Sequence, residues 1–196
     1  MSEPEVFVLA DHALQKVIDQ IKDDQWATEL PPLFLRRGQE KVTLREIVNY
    51  HAQDDAWVPD MLAGKTMEEV GKDRFAGDLL GADPKGNFGK FVEAACAAAS
   101  ALDDLSRTVH CSFGDYTASD YFAQINYFRG LRAYDIAKVI GVDSTLPNEL
   151  VQGLWDELSP HAEEWRAIGV FKAKVEVPED ASLQDKLLGL VGRQPS

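Results

Sequence analysis

Three side chains with usable chemistry fall in the middle of apolar helical stripes, where such groups are out of place unless something holds them. Between Thr117 and Gly141, residues Tyr121, Ile125, Phe128, Arg132, Ile136 and Val139 recur at steps of three and four. That spacing describes one face of an amphipathic helix with a guanidinium at its centre. Arginine keeps its proton under all ordinary conditions, so an inward Arg132 requires an acidic partner, a ligand or a route to water. A second stripe, Leu44, Ile47, Val48, His51, Asp55, Val58 and Leu62, carries an imidazole and a carboxylate one turn apart. His51 can move a proton, and with Asp55 it offers two metal ligands. Asp54, Asp55 and Asp135 are the acids within reach of Arg132.

The elements that must position these groups are helical. Thr117 with Asp120 and Thr43 with Glu46 read as helix starts, and Gly141 and Gly64 as stops. Pro59 removes a backbone donor inside the second stripe and predicts a bend there, which either opens a pocket or is a harmless kink. Residues 5–22 form a first helix on Phe7, Ala10, Leu14, Val17 and Ile21, with His12 off the stripe as a solvated or capping residue. The run LPPLFLRRGQEK is a connection, Thr66 and Glu69 open a short helical turn, and FAGDLLGADPKGN is a loop. A third long helix spans 88–106 on Phe88, Phe91, Ala95, Ala99 and Leu102, and its small side chains admit a close neighbour. Cys96 there reads as a small buried hydrophobe. VHCSFGDYT is short and extended, so His110 and Cys111 point to opposite faces and make a poor nucleophile–base pair.

After Gly141, Pro147 starts a helix through Leu158, and Ser159–Pro160 restarts one through Trp165. FKAKVEVP is an extended arm, and SLQDKLLGLVGR closes as a short helix ending at Gly192. The reading is a single domain over 1–196: an all-α bundle over about 5–165 with additional short helices, then a C-terminal arm over about 166–196.

Composition narrows the function. A formal net charge of −13 over 196 residues argues against nucleic acid or an anionic membrane as partner. No apolar run approaches the roughly 20 residues that cross a bilayer, and MSEPEVFVLADH has no basic leader, so the expectation is a cytoplasmic protein. Two cysteines, Cys96 and Cys111, make no disulfide framework. Phosphate loops, CxxC pairs, HExxH and GxSxG elbows are all absent from the sequence. The functional reading therefore rests on polar groups inside the bundle, where small-molecule sites of such folds are built.

Four segments, in order, carry a family resemblance: VTLREIVNYHAQDDAWVPDMLAG, GDLLGADPKGNF, GLRAYDIAKVIG and FKAKVEVPEDASLQDKLLGLVGRQP. Together they resemble the mycothiol-dependent maleylpyruvate isomerase-type proteins of the DinB-like superfamily, an actinobacterial family. The resemblance implies a DinB-like four-helix bundle. It also implies a thiol-dependent isomerase or S-transferase acting on a small electrophile, with a low-molecular-weight thiol such as mycothiol as cofactor. Superfamily members are often dimers, so a homodimer stays open, although no long exposed apolar stripe demands one.

The family holds a divalent metal, zinc or nickel, with one His on the second helix and an acid and a His on the later helix. Laid on this chain, those positions fall on Tyr50, Phe128 and Arg132. Phe has no donor and Arg repels a cation, so the expectation is no metal, with His51 and Asp55 as second choice for ligands. By the same resemblance Arg132 takes over part of the metal's role by pairing with a thiolate or carboxylate, Tyr50 donates to an oxyanion, and His51 moves a proton. Asp54, Asp55, Phe128 and Asp135 complete the expected ligand surroundings. The competing reading keeps the same residues: Arg132 pairs with Asp135, Asp54 or Asp55 as a structural ion pair.

Overall fold

The computed structural model describes residues 1–36 and 38–195; Arg37, in the expected connection, and Ser196, at the end of the expected arm, lie outside them. The chain is predominantly helical, with one small two-stranded sheet. Four long helices dominate: α1 (Glu3–Ile18), α2 (Leu44–Leu62), α4 (Pro84–Ser100) and α5 (Ala118–Ile140). Between them lie a single turn, α3 (Met67–Val70), and a hairpin of β1 (Thr108–Cys111) with β2 (Gly114–Thr117). The chain ends with α6 (Asn148–Leu158), α7 (Ala162–Ala167) and α8 (Leu183–Leu190).

Local chemistry sets the helix ends. The Thr43 backbone N–H donates to Glu46 at 2.7 Å, and the Thr43 hydroxyl accepts from the Glu46 N–H. Thr117 caps α5 by accepting from the Asp120 N–H, and Gly141 ends it at φ 74°, a left-handed conformation that favours glycine. The third long helix begins earlier than the sequence suggests. Asp83 caps it by accepting from the Gly86 N–H and Pro84 fills its first turn, so the end of the expected loop is helical. It also ends earlier, at Ser100, where the chain turns towards the hairpin.

α1 packs against α5 and α4, and α2 against α4. The shared core is largely apolar, with Phe7, Leu14, Leu44, Phe88, Phe122 and Leu131 shielded from water, but it also encloses Asp11, His51, Asp55 and Arg129. Ala95 and Ala99 are buried on α4, where their size allows close helix approach. Helix α2 runs through Pro59 and closes at Ala63, whose N–H donates to the Pro59 carbonyl.

The C-terminal arm is fastened to the helices at three points. The Val175 N–H donates to the Gly189 carbonyl at 2.9 Å, and Arg166 donates to the carbonyls of Leu190 and Lys172. Phe171 is buried against Tyr127 and Trp165, with ring centroids 5.0 and 5.4 Å away. Gly189 has no room for a side chain, since a Cβ there would lie 2.5 Å from the Val175 backbone oxygen. Gly189→Ala should therefore push the arm off α8 and destabilise the protein by about 1–3 kcal/mol, read from urea unfolding. An unchanged midpoint would show that the arm is not held this way.

Candidate functional site

A cleft of about 980 Å³ opens between α2, α5, the hairpin and the 3₁₀ turn Pro32–Phe34. Tyr50, His51 and Asp54 face it from α2, and Phe128, Arg129 and Arg132 from α5. Its walls are otherwise largely aromatic and apolar, including Trp57 stacked edge-on to Phe75 at 5.0 Å. The hairpin contributes Cys111 and Phe113, and the arm contributes Val170.

Five of the residues expected from sequence, Tyr50, His51, Asp54, Phe128 and Arg132, thus share one cavity wall. Two others do not reach it. Asp55 is fully buried and receives Arg129 at 2.7 Å. Asp135 is held by Arg193 from the arm through two bonds of 2.9 Å each. Among the described residues Arg132 forms no ion pair with Asp54, Asp55 or Asp135, and the last two are held by other arginines. His51 and Asp55 are likewise unsuited as a metal pair, because Asp55 is already engaged by a guanidinium.

Arg132 lies with its guanidinium 4.5 Å from the Phe34 ring centroid, and its Nε and Nη1 donate to no acceptor among the described residues. Burial works against its charge, as does the nearby Arg193, while Asp135 supports it. Across the cleft Arg36 stacks on Tyr50 at 4.1 Å. Against a protein of net charge −13, the side chains lining this cavity include Arg36, Lys72 and Arg132, one carboxylate, Asp54, and Arg129, whose charge is taken up by Asp11 and Asp55. A low-dielectric cleft lined this way attracts anions.

The most deeply buried guanidinium is Arg129, not Arg132. Arg129 is 3% exposed, and it lies 2.9 Å from Asp11 on α1 and 2.7 Å from Asp55 on α2. Its guanidinium also covers the Phe7 ring at 4.9 Å. One cation thus serves two fully buried carboxylates, and both acids are pushed upward, chiefly by loss of hydration. The sequence held a signal for this cluster. Phe7, Asp11, Leu14 and Ile18 keep helical spacing as well as the stripe through Ala10, and so do Phe122, Asn126, Arg129 and Ala133.

The groups facing the cleft titrate unusually. His51 is 3% exposed, with neither ring nitrogen hydrogen-bonded among the described residues. Burial, then the charges of Arg132 and Arg129, hold it well below the ordinary imidazole value, so it is neutral near pH 7. Asp54 is pushed up to about 6, chiefly by desolvation and against the pull of Arg129. The Tyr50 phenol is raised by burial and by the Asp54 carboxylate. The Cys111 thiol is pushed up to about 12 by burial and by Asp115, so it is no nucleophile at neutral pH. His110 is bound to Asp115, its partner across the hairpin, at 2.8 Å.

No family model, curated protein or solved structure matches the chain. Its chemistry must be read from its own residues. Among the described residues no group of three or more His, Cys, Asp and Glu side chains gathers in metal-binding geometry. Tyr50, Phe128 and Arg132 together do not make a donor set for a divalent cation, and the guanidiniums of Arg36 and Arg132 beside the cleft would repel one. No described helix is long and apolar enough to cross a membrane.

Two outcomes follow. Arg129→Met strands Asp11 and Asp55 without a cation and should destabilise the protein by about 3–5 kcal/mol at pH 7. The loss should shrink as pH falls and the stranded acids take up protons, a trend that urea unfolding at several pH values would reveal. Asp54 has a folded-state value near 6 against an ordinary 3.8. Its contribution to stability is therefore complete below about pH 3.8 and is lost as pH rises through about 6. Asp54→Asn should remove that decline and gain about 1–2 kcal/mol at pH 7, the partial exposure of the group tempering the effect.

Proposed function

We propose that the cleft binds a small organic anion and that the protein is a thiol-dependent isomerase or S-transferase acting on a small electrophile. In this reading the fold is the DinB-like four-helix bundle, and the enzyme works without a divalent metal. The observation that carries the proposal is Arg132, whose buried Nε–H and Nη1–H reach no acceptor among the described residues, beside the cleft of an acidic protein. A guanidinium taken out of water in this way gains most when a carboxylate or thiolate supplies the missing acceptors.

Each polar group then has a task. Arg132 pairs with the carboxylate of the electrophile or with the sulfur of a bound thiol such as mycothiol. Asp54, with its value near 6, is better matched than His51 to accept the thiol proton, because both guanidiniums oppose an imidazolium at position 51. Tyr50, protonated at neutral pH, can donate to oxygen that becomes negative as the thiolate adds to carbon. The aromatic walls give that step a largely apolar surround. When the carbon–sulfur bond later breaks, the proton returns from Asp54 to sulfur.

A thermal-shift screen with small carboxylates and thiols tests the binding half, since a ligand of the folded state raises the melting temperature. Wild type should gain several degrees with a carboxylate, and Arg132→Met should lose that gain while keeping its fold. Equal shifts in both proteins would remove Arg132 from the site. Turnover of an unsaturated carboxylate electrophile with added thiol tests the chemical half, and Asp54→Asn should slow it by about 100-fold or more. Binding with no thiol-dependent turnover would leave a small-molecule-binding bundle in place of an enzyme.

A further inference from the structure

Among the described residues no acid pairs with Arg132, although one lies a single turn away on its own helix. Asp135 stands at the i+3 position, where opposite charges on a helix surface normally meet. It is 4% exposed, so it too needs a cation. Two guanidiniums therefore compete for it. Arg193 takes both oxygens, with Nε to Oδ1 and Nη2 to Oδ2 each at 2.9 Å. This two-point contact fits a planar guanidinium better than a helical neighbour's sideways approach does. Arg193 is further steadied by Tyr127, whose hydroxyl accepts from Nη1 at 3.4 Å and whose ring lies 5.6 Å beneath.

We propose that Arg193 is a positioning residue: by occupying Asp135 it keeps the Arg132 guanidinium available to an anion in the cleft. The inference rests on the anion-binding reading of that cleft. It makes Arg193 of the docked C-terminal arm part of the site although Arg193 does not line the cleft. Arg166 holds the arm in place through the Leu190 and Lys172 carbonyls, and Phe171 packs beneath it. An arm that lifts releases Asp135 to Arg132, and the internal carboxylate then takes the place of the external one. Ligand affinity and arm docking are in this way coupled, and each favours the other.

The test uses the full chain, with benzoate as a probe anion followed by calorimetry and phenylglyoxal labelling of Arg132 followed by peptide mass spectrometry. Arg193→Met should weaken benzoate binding about tenfold and slow labelling of Arg132, because Asp135 now engages it. The double variant Asp135→Asn with Arg193→Met removes the competitor and should restore both readouts to within about threefold of wild type. Arg193→Gln serves if the Met variant does not fold. Unchanged binding and labelling in the single variant overturns the proposal, as does a double variant as weak as the single one, which would make the arm merely structural. If wild type itself fails to bind benzoate, the anion-site reading is in error, and the labelling rates still decide whether Arg193 controls Arg132.

Discussion

The structure depends on one guanidinium serving two buried carboxylates. Arg129 draws Asp11 of α1 and Asp55 of α2 onto α5, so a single contact ties three of the four long helices together at their centre. Ion pairs in such places add little net stability, because dehydration of three charges offsets most of their attraction. Their effect is to fix register. A slide of α1 or α2 by one turn would leave a fully buried carboxylate without its cation, and that penalty far exceeds the loss of a few apolar contacts.

That register decides what the neighbouring positions do. With Asp55 turned inward to Arg129, His51 one turn earlier is buried while Tyr50 and Asp54 reach the cleft beside it. Arg129 sits at the inner end of the cavity and reaches the core carboxylates, while Arg132, three residues on along the same side of α5, stays beside the opening. The two arginines have the same chemistry and opposite circumstances. One faces two carboxylates, and the other has two buried donors without acceptors among the described residues. The cleft inherits a positive character from this division, within a protein that is strongly acidic as a whole. The arm completes the division by engaging Asp135 from outside the helices.

The long helices and most of their ends were legible in the sequence, because caps and stops are local. Thr43 with Glu46, Thr117 with Asp120, and Gly141 act within a few residues and need no tertiary partner. The stripe from Leu44 to Leu62 was legible too, since α2 buries one continuous face, polar groups included. Helix α5 was harder. It is covered on more than one side, so the stripe through Arg132 and the one through Arg129 have equal claims by spacing, and Phe128 of the chosen stripe is half exposed.

The sequence by itself determined a helical chain with inward polar groups on α2 and α5, because hydrophobic period and capping are properties of neighbouring residues. Only the tertiary structure decided which arginine is neutralised and which is free. Asp11 is 118 positions from Arg129 and Arg193 is 58 from Asp135, and nothing in local spacing reports a partner that far away. Charge pairing across such separations is fixed by how the helices and the arm pack, which is a collective property of the core.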